Sequence, residues 1–70
     1  MQIIRGVTYW GIEGSREVER RVNVIETRSS GTQYINWTRI KKDGSEGKTQ
    51  WTEREKFAVW VKGVYELENL

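Results

Sequence analysis

The residues of this chain best suited to recognition alternate with apolar ones through its middle. They are Arg21 and Asn23, then Tyr34, Asn36 and Arg39, then Lys41, Lys42 and Lys48. A phenol ring can stack on a base, an amide presents a donor and an acceptor together, and lysine or arginine can neutralise a phosphate. An aromatic platform flanked by cations suits single-stranded nucleic acid, because stacking contributes about 1–3 kcal/mol per base while the cations follow the backbone. Asparagine and arginine can also read base edges in a duplex groove. These eight residues are the candidate nucleic-acid-binding set.

Other chemistry is poorly served. The chain has no histidine and no cysteine, so catalytic triads, thiol nucleophiles and histidine- or cysteine-ligated zinc sites fall away together. Its carboxylates are interleaved with arginine and lysine at helix or strand spacing, which makes them solvated partners rather than the paired acids of a glycosidase. Gly44-Ser45-Glu46-Gly47-Lys48-Thr49 ends in Gly-Lys-Thr. It nevertheless lacks the four-residue spacer between glycines, the preceding apolar strand and the immediate helix of a phosphate loop. The expected role of that segment is a solvated hairpin tip. No catalytic residue, metal or cofactor is expected, and the chain reads as a non-enzymatic binding module.

Composition sets the frame. Seventy residues give one domain with a thin core, since a chain of this size buries only about 60% of its unfolded surface. Without a disulfide, stability rests on apolar burial, chiefly Trp10, Trp37, Trp51, Trp60, Phe57 and the Ile/Val set. Self-association, as a homodimer for instance, is a second way to cover apolar surface. The absence of cysteine fits the cytosol. The first residues lack the pattern of a signal peptide, and the apolar runs are shorter than the roughly 20 residues of a membrane span. A cytoplasmic location is therefore expected, and the sequon Asn36-Trp37-Thr38 is taken as chance. The net charge of +2 is modest for a nucleic-acid binder. Residues 39 to 48 are mildly basic and the last eighteen mildly acidic.

The elements that must position these residues follow from periodicity. Residues 2 to 12 are rich in β-branched and aromatic types and read as a strand, with Gly6 and Gly11 as places for a bend, before a turn at Glu13-Gly14-Ser15. Residues 16 to 28 fit an amphipathic helix or a strand. The β-branched cluster Val22-Asn23-Val24-Ile25 and the short preceding turn favour the strand. Val18, Val22 and Val24 would then share one side, with Arg21 and Asn23 on the other and Arg20 the misfit on the apolar side.

After a turn at residues 29 to 32, residues 33 to 41 alternate, with Ile35 and Trp37 opposite Tyr34, Asn36 and Thr38. The Asp43-Gly44 loop spans residues 42 to 47, and a short strand runs from Lys48 to Trp51. Thr52-Glu53-Arg54-Glu55 has the form of a capping box. Phe57, Trp60, Val61 and Val64 supply a helical stripe, Gly63 a stop, and Val64 to Glu68 a closing strand. The expected fold is α+β: an antiparallel sheet of three to five strands with one C-terminal helix packed on its apolar face.

Two resemblances arise on these residues. Ile35, Trp51-Thr52-Glu53-Arg54-Glu55, Gly63 and Val64-Tyr65 resemble a family of small bacterial and phage proteins known only as a domain of unknown function. That likeness implies a strand, strand, helix, strand layout and no activity. Asn36-Trp37-Thr38-Arg39-Ile40, followed by Gly47-Lys48-Thr49 and a helix, is similar in order to the WGR domain, a DNA-end-sensing module. The glycine after that family's tryptophan is Thr38 here. The likeness implies roles for Trp37 and Arg39. Nucleic acid is thus the first expected partner. The alternative is another protein, contacted by an inhibitory or adaptor module of phage or mobile-element type.

Overall fold

The computed structural model describes residues 2–65 and shows the α+β architecture: a five-stranded antiparallel sheet with one helix near the C-terminus and a closing strand. The strands are β1 (Thr8–Glu13), β2 (Arg16–Thr27), β3 (Gln33–Ile40), β4 (Glu46–Glu53) and β5 (Val61–Val64), with α1 (Arg54–Trp60) between the last two. Their order across the sheet is β4-β3-β2-β1-β5, so the helix joins the two edge strands. It touches β3, β4 and β5, and so roofs one face from edge to edge.

β2 settles the strand-or-helix question. It is a twelve-residue strand paired on both sides, with Val22 opposite Trp37 and Glu19 opposite Trp10. One expectation for its faces is overturned. Between the pairs Val22–Trp37 and Val24–Asn36, β2 carries one residue more than β3, namely Asn23. A bulge of this kind shifts the alternation by one residue. Val24 therefore turns outward and is 42% exposed, while Ile25 packs against the core.

The inner face gathers Tyr9, Val22, Ile35 and Trp37 beneath Phe57, with Ile3 closing one side. Phe57 meets the Tyr9 ring edge-on at 6.0 Å and lies 5.3 Å from the Trp60 ring. Ile3 belongs to no strand: residues 2 to 7 are not part of β1, contrary to the expected strand from residue 2. A turn at Gly6 (φ 89) folds this segment, and Gly6 N–H donates to the Val22 carbonyl at 2.8 Å. The Tyr9 hydroxyl accepts from the Ile4 amide at 2.8 Å and holds the segment down.

The helix starts differently from the sequence expectation. β4 runs on to Glu53, which takes the N-cap position in extended geometry with no side-chain capping bond. Thr52 lies in the strand, and its hydroxyl accepts from Trp37 Nε1 at 2.8 Å. The buried indole N–H takes the acceptor that the capping box required, because an unsatisfied buried donor costs more than an uncapped exposed helix end. The helix ends at Trp60, and Gly63 lies within β5 rather than stopping it. Val64, expected on the buried stripe, is in β5 and exposed. Of the rest of the expected closing strand, Tyr65 follows β5 and is not part of it, and residues 66 to 68 lie outside the described residues.

The glycines in β1 and β5 have a packing reason. A Cβ on Gly11 would lie 2.4 Å from the Trp60 ring and 2.5 Å from the Trp60 carbonyl oxygen, and one on Gly63 would lie 2.7 Å from Trp10 Nε1. Two tryptophans thus cover the β1–β5 pair, Trp60 from inside and Trp10 from outside.

Candidate functional site

Strand alternation and register divide the eight candidate residues between opposite faces of the sheet. Arg21, Asn23, Tyr34 and Asn36 lie on the outer face, away from the helix, as the alternation predicted. Arg39 points the other way: it is opposite Arg20, which shares the inner face with Tyr9 and Val22. Between the pairs Thr38–Thr49 and Ile40–Glu46, Gly47 and Lys48 together oppose Arg39 across a second bulge. This puts Lys48 on the inner side as well. The Lys41 chain lies against Gly47, its Cε 3.5 Å from where a Cβ would stand. Lys42 sits in the exposed β3–β4 turn. The eight residues therefore do not form one surface.

The outer-face polar residues are largely engaged with one another. Asn23 Nδ2 donates to Asn36 Oδ1 at 3.1 Å and to Thr38 Oγ1 at 2.8 Å, and the Thr38 and Thr49 hydroxyls are 2.9 Å apart. Arg21 donates to Asn23 Oδ1 and to Glu46 Oε2, the latter at 2.9 Å. Thr38, in the middle of this ladder, is buried. These groups hold three strands in register, which leaves few edges with which to read a base. The same face carries Glu17, Glu19, Glu26, Glu46 and Glu53, against Arg21 and Arg28. Its balance is acidic.

The far end of that face holds residues the sequence reading did not single out for binding. Asn36 pairs with Trp51, which was expected in the core but is 46% exposed on the edge strand. The Arg28 guanidinium lies 4.0 Å from the centre of the Tyr34 ring and 5.3 Å from that of Trp51. Counting back through the Asp43-Gly44 hairpin from the Ile40–Glu46 pair would put Trp51 beside Ile35 and inside; the Gly47–Lys48 bulge moves it beside Asn36 and outside.

The inner face at the opposite end, beyond the helix, is basic. Arg16, Arg39 and Lys48 share it with Arg20, and Glu13 is their one carboxylate there among the described residues. Glu13 binds Arg20 through one oxygen and Arg39 through the other at 3.5 Å. Arg20 is nearly buried, its guanidinium 4.0 Å from the Trp37 ring and 4.0 Å from the Trp60 ring. It forms the floor of this end, where the aromatic core gives way to charge. Arg39, 40% exposed along its side chain, faces solvent. A cleft between the two hairpin tips leads into this region, bordered by Arg16, Arg39, Lys41 and Lys42 and also by the carboxylates Glu17 and Glu19. At its rim Asp43 is held by its own loop. The Ser45 hydroxyl donates to it at 2.6 Å and the Ser45 amide at 2.9 Å, and these bonds keep its carboxyl below the usual aspartate range.

No family model, curated protein or solved structure matches the chain. The geometry must carry the reading alone. Of the two positions implied by the WGR likeness, Trp37 is buried with its N–H bound to Thr52, and Arg39 reaches solvent. Among the described residues, no group of three or more acidic, histidine or cysteine side chains could hold a metal ion, and no helix is long and apolar enough to cross a membrane.

Proposed function

We propose that this chain is a non-enzymatic binding module that holds a nucleic-acid backbone at the hairpin end of its inner face. One observation carries the reading: strand register puts Arg16, Arg39 and Lys48 on one side, with Lys41 folded toward them, while most carboxylates of the sheet face the other way. A phosphate chain crossing this end meets convergent cations on a rigid sheet, and Glu13, already shared by two arginines, adds little repulsion. The sequence placed the contact on the polar sheet face. The acidic balance and the interlocked amides there favour moving it to the opposite side.

The test is a fluorescence-anisotropy titration of labelled single- and double-stranded oligonucleotides at several salt concentrations. Binding should weaken as salt rises, with a log–log slope of about 0.7 per neutralised phosphate for single strands. Arg39→Glu combined with Lys48→Glu should weaken binding at least about tenfold at low salt, whereas Arg21→Glu on the outer face should change it less than about twofold. Equal losses for the two variants, or no binding at low salt, would remove this reading.

A further inference from the structure

The outer face and the β4 edge present a second surface, of opposite charge and on the other side of the sheet. β4 is an edge strand whose outward side pairs with no other strand among the described residues. Its two halves differ. The hairpin half carries the Gly47–Lys48 bulge and Lys48 itself, devices that discourage pairing with another chain. Residues 49 to 53 are regularly paired to β3, contain no proline or cation, and place Thr49, Trp51 and Glu53 on the outer face. Trp51 is 46% exposed and Val24, in the same cross-strand row, 42%. Glu26 and Glu53 stand in the adjacent row, and Glu46, paired with Arg21 at 2.9 Å, lies beyond Thr49. Tyr34 and Arg28 support the tryptophan, and Arg28 is itself paired with Glu26 at 3.5 Å.

We infer that the 49–53 edge of β4 receives an extended, basic segment of another protein, which adds to the sheet as a sixth strand. The occupant follows from the charges. An incoming strand places alternate residues on the outer face. There an apolar side chain meets Trp51, a lysine or arginine on one side meets Glu53, and one on the other side passes Thr49 toward Glu46. On the inner face the neighbours are Gln50 and Thr52, so the intervening residues are polar. A nucleic-acid strand is disfavoured by the same carboxylates. The 49–53 segment of a second copy would bring Glu53 and no cation to these carboxylates. The surface is separate from the basic end proposed above and does not depend on it.

The experiment titrates isotope-labelled protein with a probe peptide, acetyl-Lys-Thr-Val-Thr-Lys-Thr-amide, and with its counterpart bearing glutamate in place of lysine. Amide shifts should change along residues 49 to 53, and the lysine peptide should bind at least about tenfold more tightly than the glutamate one. Trp51→Ala should weaken the lysine peptide at least about fivefold. Glu26→Lys, away from the helix start, should narrow the preference for lysine and provides a second variant independent of the tryptophan. Equal binding of the two peptides, shifts confined to other strands, or indifference to Trp51→Ala would overturn the inference. So would oligonucleotide-induced shifts at Trp51, or dimerisation through residues 49 to 53 in sedimentation.

Discussion

Arg20 is the residue on which the two parts of the inner face meet. The alternation of β2 made it a misfit among valines, and the structure gives the reason: its guanidinium lies over Trp37 and Trp60 while its end groups reach Glu13. A planar, weakly hydrated cation can stack on aromatic faces in a way that a compact ammonium cannot. Arg20→Lys should therefore destabilise the domain by about 1–2 kcal/mol in urea unfolding despite keeping the charge, because neither indole would keep a guanidinium plane stacked on it. Arg20→Met keeps an apolar stem over the rings and should cost a similar amount. Combining it with Glu13→Gln should add little, because Glu13 is one-third exposed and keeps Arg39 nearby. A lysine variant as stable as the parent would show that charge, not stacking, holds this position.

At the scale of elements, the edge pair β1–β5 is defined by what its glycines admit. Gly11 faces both the ring and the backbone carbonyl of Trp60, so a methyl group there cannot be accommodated by a side-chain rotation alone. Gly11→Ala should destabilise by about 1–3 kcal/mol, an overpacking cost, and hydrogen exchange should show β5 opening before β2 and β3. Gly14→Ala is the comparison: it faces open space, and its cost should arise only from the φ of 63 required in the two-residue turn.

These elements also show what the sequence made legible. Tyr34, Ile35, Asn36, Trp37 and Thr38 went to their faces because period-two alternation is unambiguous between two turns. Val24 did not, because a bulge leaves no mark in the pattern beyond one residue too many, and the partner strand decides where it falls. Thr52-Glu53-Arg54-Glu55 has the form of a cap, but Trp37 Nε1 competes for the threonine across the sheet, a contact fifteen residues away that local pattern cannot show. The candidate residues are split between faces for a related reason. Arg39 adjoins Thr38 in the chain, yet neighbouring strand residues point oppositely, so a basic run along β3 and its loop is divided between the faces.

At the scale of the whole molecule, the core is closed from both ends of the chain. Phe57 arrives from the helix and Ile3 from the folded N-terminal segment, and both are fully or nearly buried. A 70-residue chain has about 3–10 kcal/mol of total stability at the usual 0.05–0.15 kcal/mol per residue. Truncating one buried isoleucine to alanine costs about 2–5 kcal/mol. The segment bearing Ile3 is held by Gly6 N–H on the Val22 carbonyl and by the Tyr9 hydroxyl on Ile4 N–H, bonds that reach into β1 and β2. Ile3→Ala should therefore lower the stability of the entire sheet rather than fray one end. Thermal unfolding followed by tryptophan fluorescence and by far-ultraviolet circular dichroism should give a single coincident transition, shifted down by at least about 10 °C, since 1 kcal/mol corresponds to roughly 4–8 °C in a domain this small. Ile4→Ala removes the exposed neighbour and should move the transition by only a few degrees. If Ile3→Ala behaved like Ile4→Ala, the N-terminal segment would be an appendage, and the core would close on Tyr9, Val22, Ile35, Trp37 and Phe57 alone.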